Sequence, residues 1–208
     1  MKTKKIIFLV VLIVLISSCD KEIGRCDFTE AQLQTVPYEH EQTIGFINSE
    51  GNVIDLVVTS KLTWNKVGGD GLFGGEYSMY RMNSVLLESE PDNIKIRLWN
   101  SAYNCLLGED YSSLEIYITK FVGGRLEHEV YLDFDPDGNF LFFKDSPFYD
   151  SIEINGKVYF DVVEYSSNNT IYDGVGGKEE VFQLVFYNTT YGILQVKRDG
   201  ENFLTINN

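Results

Sequence analysis

Residues 151–163 read SIEINGKVYFDVV. Two runs of alternating apolar and polar residues flank Asn155-Gly156. That dipeptide is a strong hairpin signal, because a type I′ turn needs positive φ at both central positions and asparagine and glycine tolerate it best. The same pattern recurs outward in both directions. TIGFINSEGNVIDLVV (43–58) is a strand, a turn at Asn48–Gly51 and a second strand. SLEIYITKFVGGRLEHEVYLDF (113–134) gives two alternating runs joined near Gly123-Gly124, and YLDFDPDGNFLFF (131–143) turns at Asp135-Pro136-Asp137-Gly138. The end of the chain, VFQLVFYNTTYGILQVKRDGENFLTI (181–206), is a three-strand meander with turns near Thr190 and Asp199-Gly200.

After the first 19 residues no segment sustains a helical period for ten residues or more, and hairpin-length links leave no room for crossover helices. The fold predicted is all-β, an antiparallel β-sandwich or barrel-like domain. Its span is residues 37–208, a length suited to one domain. Residues 19–36 read as a tether carrying one helical turn at FTEAQLQ (28–34), where Thr29 and Gln32 have capping-box spacing. A hydrophobic content of 44% with 14% aromatics is enough for a packed core.

The N-terminus has a different composition. Lys2, Lys4 and Lys5 precede an unbroken apolar run from Ile6 to Ile16, followed by Ser17-Ser18-Cys19. The run is too short to span the hydrocarbon, which takes about 20 apolar residues. A basic start, short apolar core and small-residue exit make residues 1–18 a secretory signal peptide. Leu15-Ile16-Ser17-Ser18-Cys19 resembles the lipobox of bacterial lipoproteins. In that family the cysteine becomes the first mature residue and carries lipid on its sulfur and its amine, so Cys19 is the expected lipidation site and the membrane a partner through that anchor. Acyl chains hold at about 0.8 kcal/mol per buried methylene, so two or three anchor far better than one. Asp20-Lys21-Glu22 resembles the surface-export signals of Bacteroidetes-type lipoproteins. The strands at 185–206 resemble the C-terminal strands of small lipoproteins of that group. The location implied is the outer membrane, on its periplasmic or cell-surface face, with the surface favoured.

The formal net charge is -14, and the part after Cys19 is more acidic still because the leader's charges are all lysine. Such a surface repels phosphate backbones, so nucleic acid is not an expected partner. Cys26 and Cys105 remain after the anchor, and an isolated pair in an oxidising compartment is most simply a disulfide. It would close a loop of about 80 residues, for which chain entropy gives roughly 4 kcal/mol.

Few motifs carry chemistry. Gly69-Asp70-Gly71-Leu72-Phe73-Gly74 matches G-x-G-x-x-G, but the strand-like EYSMY (76–80) follows where a dinucleotide site needs a helix, so no nucleotide cofactor is expected. Asp133-Phe134-Asp135-Pro136-Asp137-Gly138 matches the start of a calcium loop, with Asp133, Asp135 and Asp137 as candidate metal ligands. The bidentate Glu expected at position twelve is Lys144 instead, so a further ligand, Asp145 being nearest, would be needed; a plain hairpin turn is the preferred reading. The two histidines, His40 and His128, form no zinc motif, and no G-x-S-x-G elbow is present. Acids such as Glu88, Glu90, Asp161 and Glu164 are too numerous to pair for glycosidase chemistry. Asp150-Ser151-Ile152 resembles the O-glycosylation motif of Bacteroidetes. Trp64 and Trp99 are candidate platforms for a sugar ring, or else core residues.

The expectation is therefore a lipid-anchored extracytoplasmic module that binds a glycan or a protein, without catalysis. The alternatives are a small hydrolase using paired carboxylates and a barrel that carries a lipophilic molecule in its cavity.

Overall fold

In the computed structural model, which describes residues 20–69, 75–120, 129–141, 146–172 and 178–207, Asn155 and Gly156 both have positive φ, 51° and 76°. They close the hairpin of strands β9 (Phe148–Ile154) and β10 (Lys157–Tyr172), with Ile154 opposite Lys157. β11 (Lys178–Asn188), β12 (Gly192–Arg198) and β13 (Glu201–Ile206) complete a meander with the expected turns. A second meander runs through β2 (Thr43–Asn48), β3 (Val53–Gly68), β4 (Glu76–Ser89), β5 (Ile94–Ser101), β6 (Ser112–Lys120), β7 (Glu129–Phe134) and β8 (Phe140–Leu141).

The two meanders join where β13 pairs with β2, placing Leu204 opposite Asn48 and Ile206 opposite Phe46. The result is one sheet in the order β8-β7-β6-β5-β4-β3-β2-β13-β12-β11-β10-β9, and it does not close. The end strands, β8 and β9, are consecutive in the chain but not paired in the sheet. Inward residues alternate along each strand, as Ile54, Leu56 and Val58 do on β3 and Ile94, Ile96 and Leu98 on β5. They form one core with Phe134 of β7 and Tyr187 of β11. Phe140 of β8 packs against Tyr187, with ring centroids 6.4 Å apart, so the sheet curls until its two ends share a core.

Residues 20–36, expected to be a tether, are built into the domain instead. β1 (Lys21–Cys26) adds to β4 in parallel, an exception to the antiparallel reading, with Lys21 opposite Glu76 and Cys26 opposite Tyr80. The chain enters along β4 in the direction β4 itself runs, so local pairing leaves it no antiparallel choice. Helix α1 (Glu30–Gln34) has the capping box read from the sequence: Thr29 accepts the Gln32 N–H at 3.1 Å, and Gln32 Oε1 accepts the Thr29 N–H at 3.0 Å. Its end is wired to distant strands. Asn100 Nδ2 donates to the Gln32 carbonyl at 3.1 Å and Tyr187 Oη to that of Thr35 at 2.5 Å. These buried bonds hold the helix against the sheet, because breaking them would strand polar groups away from water. Cys26 and Cys105 form the expected disulfide, with α-carbons 5.8 Å apart.

Candidate functional site

The unpaired ends of the sheet leave a seam, and a cleft of about 350 Å³ opens there. Its lining comes from four separated stretches: Gly138, Asn139 and Phe140 after β7, Phe148 at the start of β9, Asp161 in β10, and Thr189 beyond β11. The volume lies within the usual range for small-ligand sites, about 300–1,000 Å³. Aromatic rings and a few hydrogen-bonding groups share the wall, and Phe148 is 38% exposed.

Local chemistry fixes the turn before β8 and the backbone at Asp161. Asp135 accepts the N–H groups of Asp137 at 2.9 Å and Asn139 at 2.8 Å, and Asn139 Nδ2 donates to it at 3.0 Å. Against the burial that would raise it, these hydrogen bonds from Asn139, Asp137 and Gly138 hold the Asp135 carboxyl below its ordinary pKa. Gly138 has φ 79°, and a β-carbon there would press on the Ala31 carbonyl, so the loop rests on helix α1. Thr29 Oγ1 donates to the Pro136 carbonyl at 2.6 Å and fixes the same contact. Asp161 sits at φ 53° within β10, and Asn188 Nδ2 donates to the neighbouring Phe160 carbonyl at 3.2 Å. A non-glycine residue held in the left-handed region inside a strand is strained, and such strain concentrates at binding and catalytic sites.

The candidates read from the sequence lie elsewhere. Trp64 on β3 is opposite Arg81 of β4, and the guanidinium carbons of Arg81 and Arg25 are each 4.8 Å from its ring centroid. Trp99 on β5 points to the outer side, against Tyr117 at 4.9 Å between centroids. The two tryptophans occupy opposite faces of the sheet and do not make one surface.

The three aspartates of the calcium-loop match have separate surroundings. Asp133 is buried and accepts a hydrogen bond from Ser113, whose hydroxyl accepts from Asn104 Nδ2 of the 3₁₀ turn Tyr103–Leu107 at 2.7 Å. Burial pushes its carboxyl pKa up, the Ser113 bond opposing and the nearby Glu109 charge reinforcing. Asp135 is taken by the turn's own N–H groups, and Asp137 is exposed. Among the described residues no group of three or more His, Cys, Asp or Glu side chains is arranged to hold a metal ion. Lys144 and Asp145 lie outside the described residues, as do His128, Cys19 with its leader, and residues 70–74 of the glycine-rich stretch. Gly69 and Gly75 flank that stretch, and the element after it is the strand β4.

A smaller cleft of about 190 Å³ beside the disulfide includes Asp27 and Asp110. Asp27 is already engaged, accepting the Phe28 N–H at 2.9 Å and pairing with Arg81 at 3.5 Å. In the seam cleft Asp161 is the one carboxylate among the described lining residues. Among the described residues, neither cleft brings together two uncommitted facing acids of the kind glycoside hydrolysis uses.

Sequence reasoning passed over the seam residues. Asp161 stood among many acids, and its one local signal was its interruption of the apolar run VYFDVV (158–163). No protein-family model matches the chain, and no curated protein or solved structure is similar to it.

Proposed function

We propose that this protein is an outer-membrane lipoprotein, acylated at Cys19 with its body on the outer face, that holds a neutral glycan in the seam cleft without transforming it. The observation that carries the reading is the cleft itself, with Phe140 and Phe148 on its wall beside Asp161, Asn139 and Thr189. A pyranose offers an apolar face to an aromatic ring and hydroxyls to its polar neighbours. A carboxylate, an amide and a hydroxyl can accept and donate to those hydroxyls. The net charge of -14 selects against anionic polysaccharides. The disulfide between Cys26 and Cys105 supports an oxidising, extracytoplasmic location.

The test is a glycan array probed with the soluble form beginning at Asp20, followed by titration of each hit. Phe148→Ala and Asp161→Asn should each weaken binding about tenfold, or ~1.4 kcal/mol. Asn tolerates the left-handed backbone at position 161, so the fold is kept. Turnover of a glycan, or binding indifferent to both substitutions, would overturn the reading.

A further inference from the structure

We infer that helix α1 is a redox-latched brace for the seam cleft. The Cys26–Cys105 disulfide holds its first turn, Thr29 carries that hold to the cleft wall, and reduction by a dithiol loosens the wall. That a ligand feels the change rests on the reading of the seam as the binding site.

The two ends of the helix are held differently. Its C-terminal end is tied to the main core: Asn100 Nδ2 donates to the Gln32 carbonyl, Tyr187 Oη to that of Thr35, and Val36 and Tyr38 are core residues. The N-terminal end has a small cluster of its own, in which Cys26, Phe28 and Ala102 are buried and Leu33, Tyr80 and Leu106 pack against them. A five-residue helix has little stability by itself, so whatever holds its first turn decides where that turn sits. The disulfide is the covalent part of that hold, joining the cluster to the 3₁₀ turn at 103–107.

Three contacts link the helix to the seam. Thr29 Oγ1 donates to the Pro136 carbonyl at 2.6 Å, and Gln32 Nε2 donates to the Phe134 carbonyl at 3.4 Å. Gly138 lies so close to the helix that a β-carbon on it would be 2.9 Å from the Ala31 carbonyl. Gly138, Asn139 and Phe140 are cleft wall, and Asp135 binds their turn into one unit by accepting the N–H groups of Asp137 and Asn139. A displacement of Thr29 therefore reaches the wall through Pro136.

The latch is open to a reductant from one side. Cys105 is exposed and lines the cleft of about 190 Å³, whereas Cys26 is 4% exposed. Access decides which sulfur a thiolate attacks, and here it is Cys105 Sγ. The protein S–S bond breaks, a mixed disulfide forms at Cys105, and the Cys26 sulfur leaves and takes up a proton. The second thiol of the reductant then attacks the mixed disulfide. Cys105 is released as a thiol and the reductant departs as its own disulfide, two electrons having passed to the protein. In an oxidising compartment the latch is closed, and a dithiol opens it.

The experiment compares amide chemical shifts of the ¹⁵N-labelled chain from Asp20, oxidised and in dithiothreitol. Reduction should move the amides of 26–29 and 103–107 and, beyond them, those of Gly138, Asn139 and Phe140, with β13 unmoved. Thr29→Asp still caps the helix but has no donor for the Pro136 carbonyl, whereas Thr29→Ser keeps both functions. In Thr29→Asp the response of residues 138–140 should fall about twofold or more, because the two changes act through one contact. Thr29→Ser should restore it. Seam amides unmoved by reduction in the parent, or moved equally in Thr29→Asp, would overturn the brace. Loss of the whole folded spectrum on reduction would overturn it too, since the disulfide would then be holding the fold rather than a latch. No ligand enters this measurement, so a chain that shows the coupling yet binds no glycan fails the proposed function alone.

Discussion

Gly192 opens β12 at φ 76°, and a β-carbon there would overlap Oη and Cζ of Tyr38 and lie 3.0 Å from Cε1. Tyr38 cannot swing aside cheaply. It is buried in the core, and its hydroxyl accepts the Ile193 N–H at 2.7 Å. Gly192→Ala should therefore incur three costs. The left-handed backbone costs an L-residue about 1–2 kcal/mol. Overpacking against a fixed ring adds about 1–3 kcal/mol. Displacing the ring forfeits a buried hydrogen bond of about 1 kcal/mol. A loss of about 3–6 kcal/mol is expected. Gly156 provides the control, having the same φ of 76° with nothing within 4 Å of an added β-carbon. Gly156→Ala should cost the backbone part alone, about 1–2 kcal/mol. The assay is urea unfolding of the soluble form with its disulfide intact, comparing midpoints at equal slope. Placing Gly192→Ala in a Tyr38→Ala background should recover most of the difference as coupling energy. Equal losses at 156 and 192 would refute the claim that Tyr38 is locked against this glycine.

Three further outcomes follow from the same geometry. Reduction of Cys26–Cys105, which spans 79 residues, should lower stability by about 4 kcal/mol in matched unfolding curves with and without reductant. The folded pKa of Asp133 is raised, so the native state holds that proton more tightly than the unfolded chain; this stabilisation is complete below the unfolded carboxyl pKa of about 4 and is lost as pH rises through the folded value. Asp133→Asn keeps an acceptor for Ser113 without the charge, so its stability relative to the parent should improve from pH 4 to pH 7; a flat or opposite trend would contradict the burial argument. Trp64→Ala should cost about 1–2 kcal/mol through its two guanidinium contacts and leave glycan affinity unchanged, as read by thermal melts and titration.

What the sequence made legible was local. The Asn155-Gly156 turn, the Thr29–Gln32 capping box and the alternation along β3 and β5 are each set by residues a few positions apart. The disulfide was legible from residue type and count. What escaped depends on distant pairing. Nothing near Lys21 announces a parallel partner at Glu76, because a six-residue strand with mixed polarity has no pattern of its own. Asp133 alternates with Leu132 and Phe134 along β7, but its burial and its Ser113 and Asn104 partners come from other parts of the chain. The seam cleft was hidden for the same reason. Phe140, Phe148, Asp161 and Thr189 meet only after the sheet has curled, and the choice between two packed sheets and one open sheet is made at the single β2–β13 junction.

The central claim is that the seam is where this protein meets its ligand. The most direct measurement is amide chemical-shift mapping of the ¹⁵N-labelled soluble form during titration with a neutral glycan taken from the array. The largest shifts should fall on Asn139, Phe140, Phe148, Asp161 and Thr189, with the amides around Trp64 and Trp99 unmoved. Shifts centred on either tryptophan, with the seam silent, would contradict it.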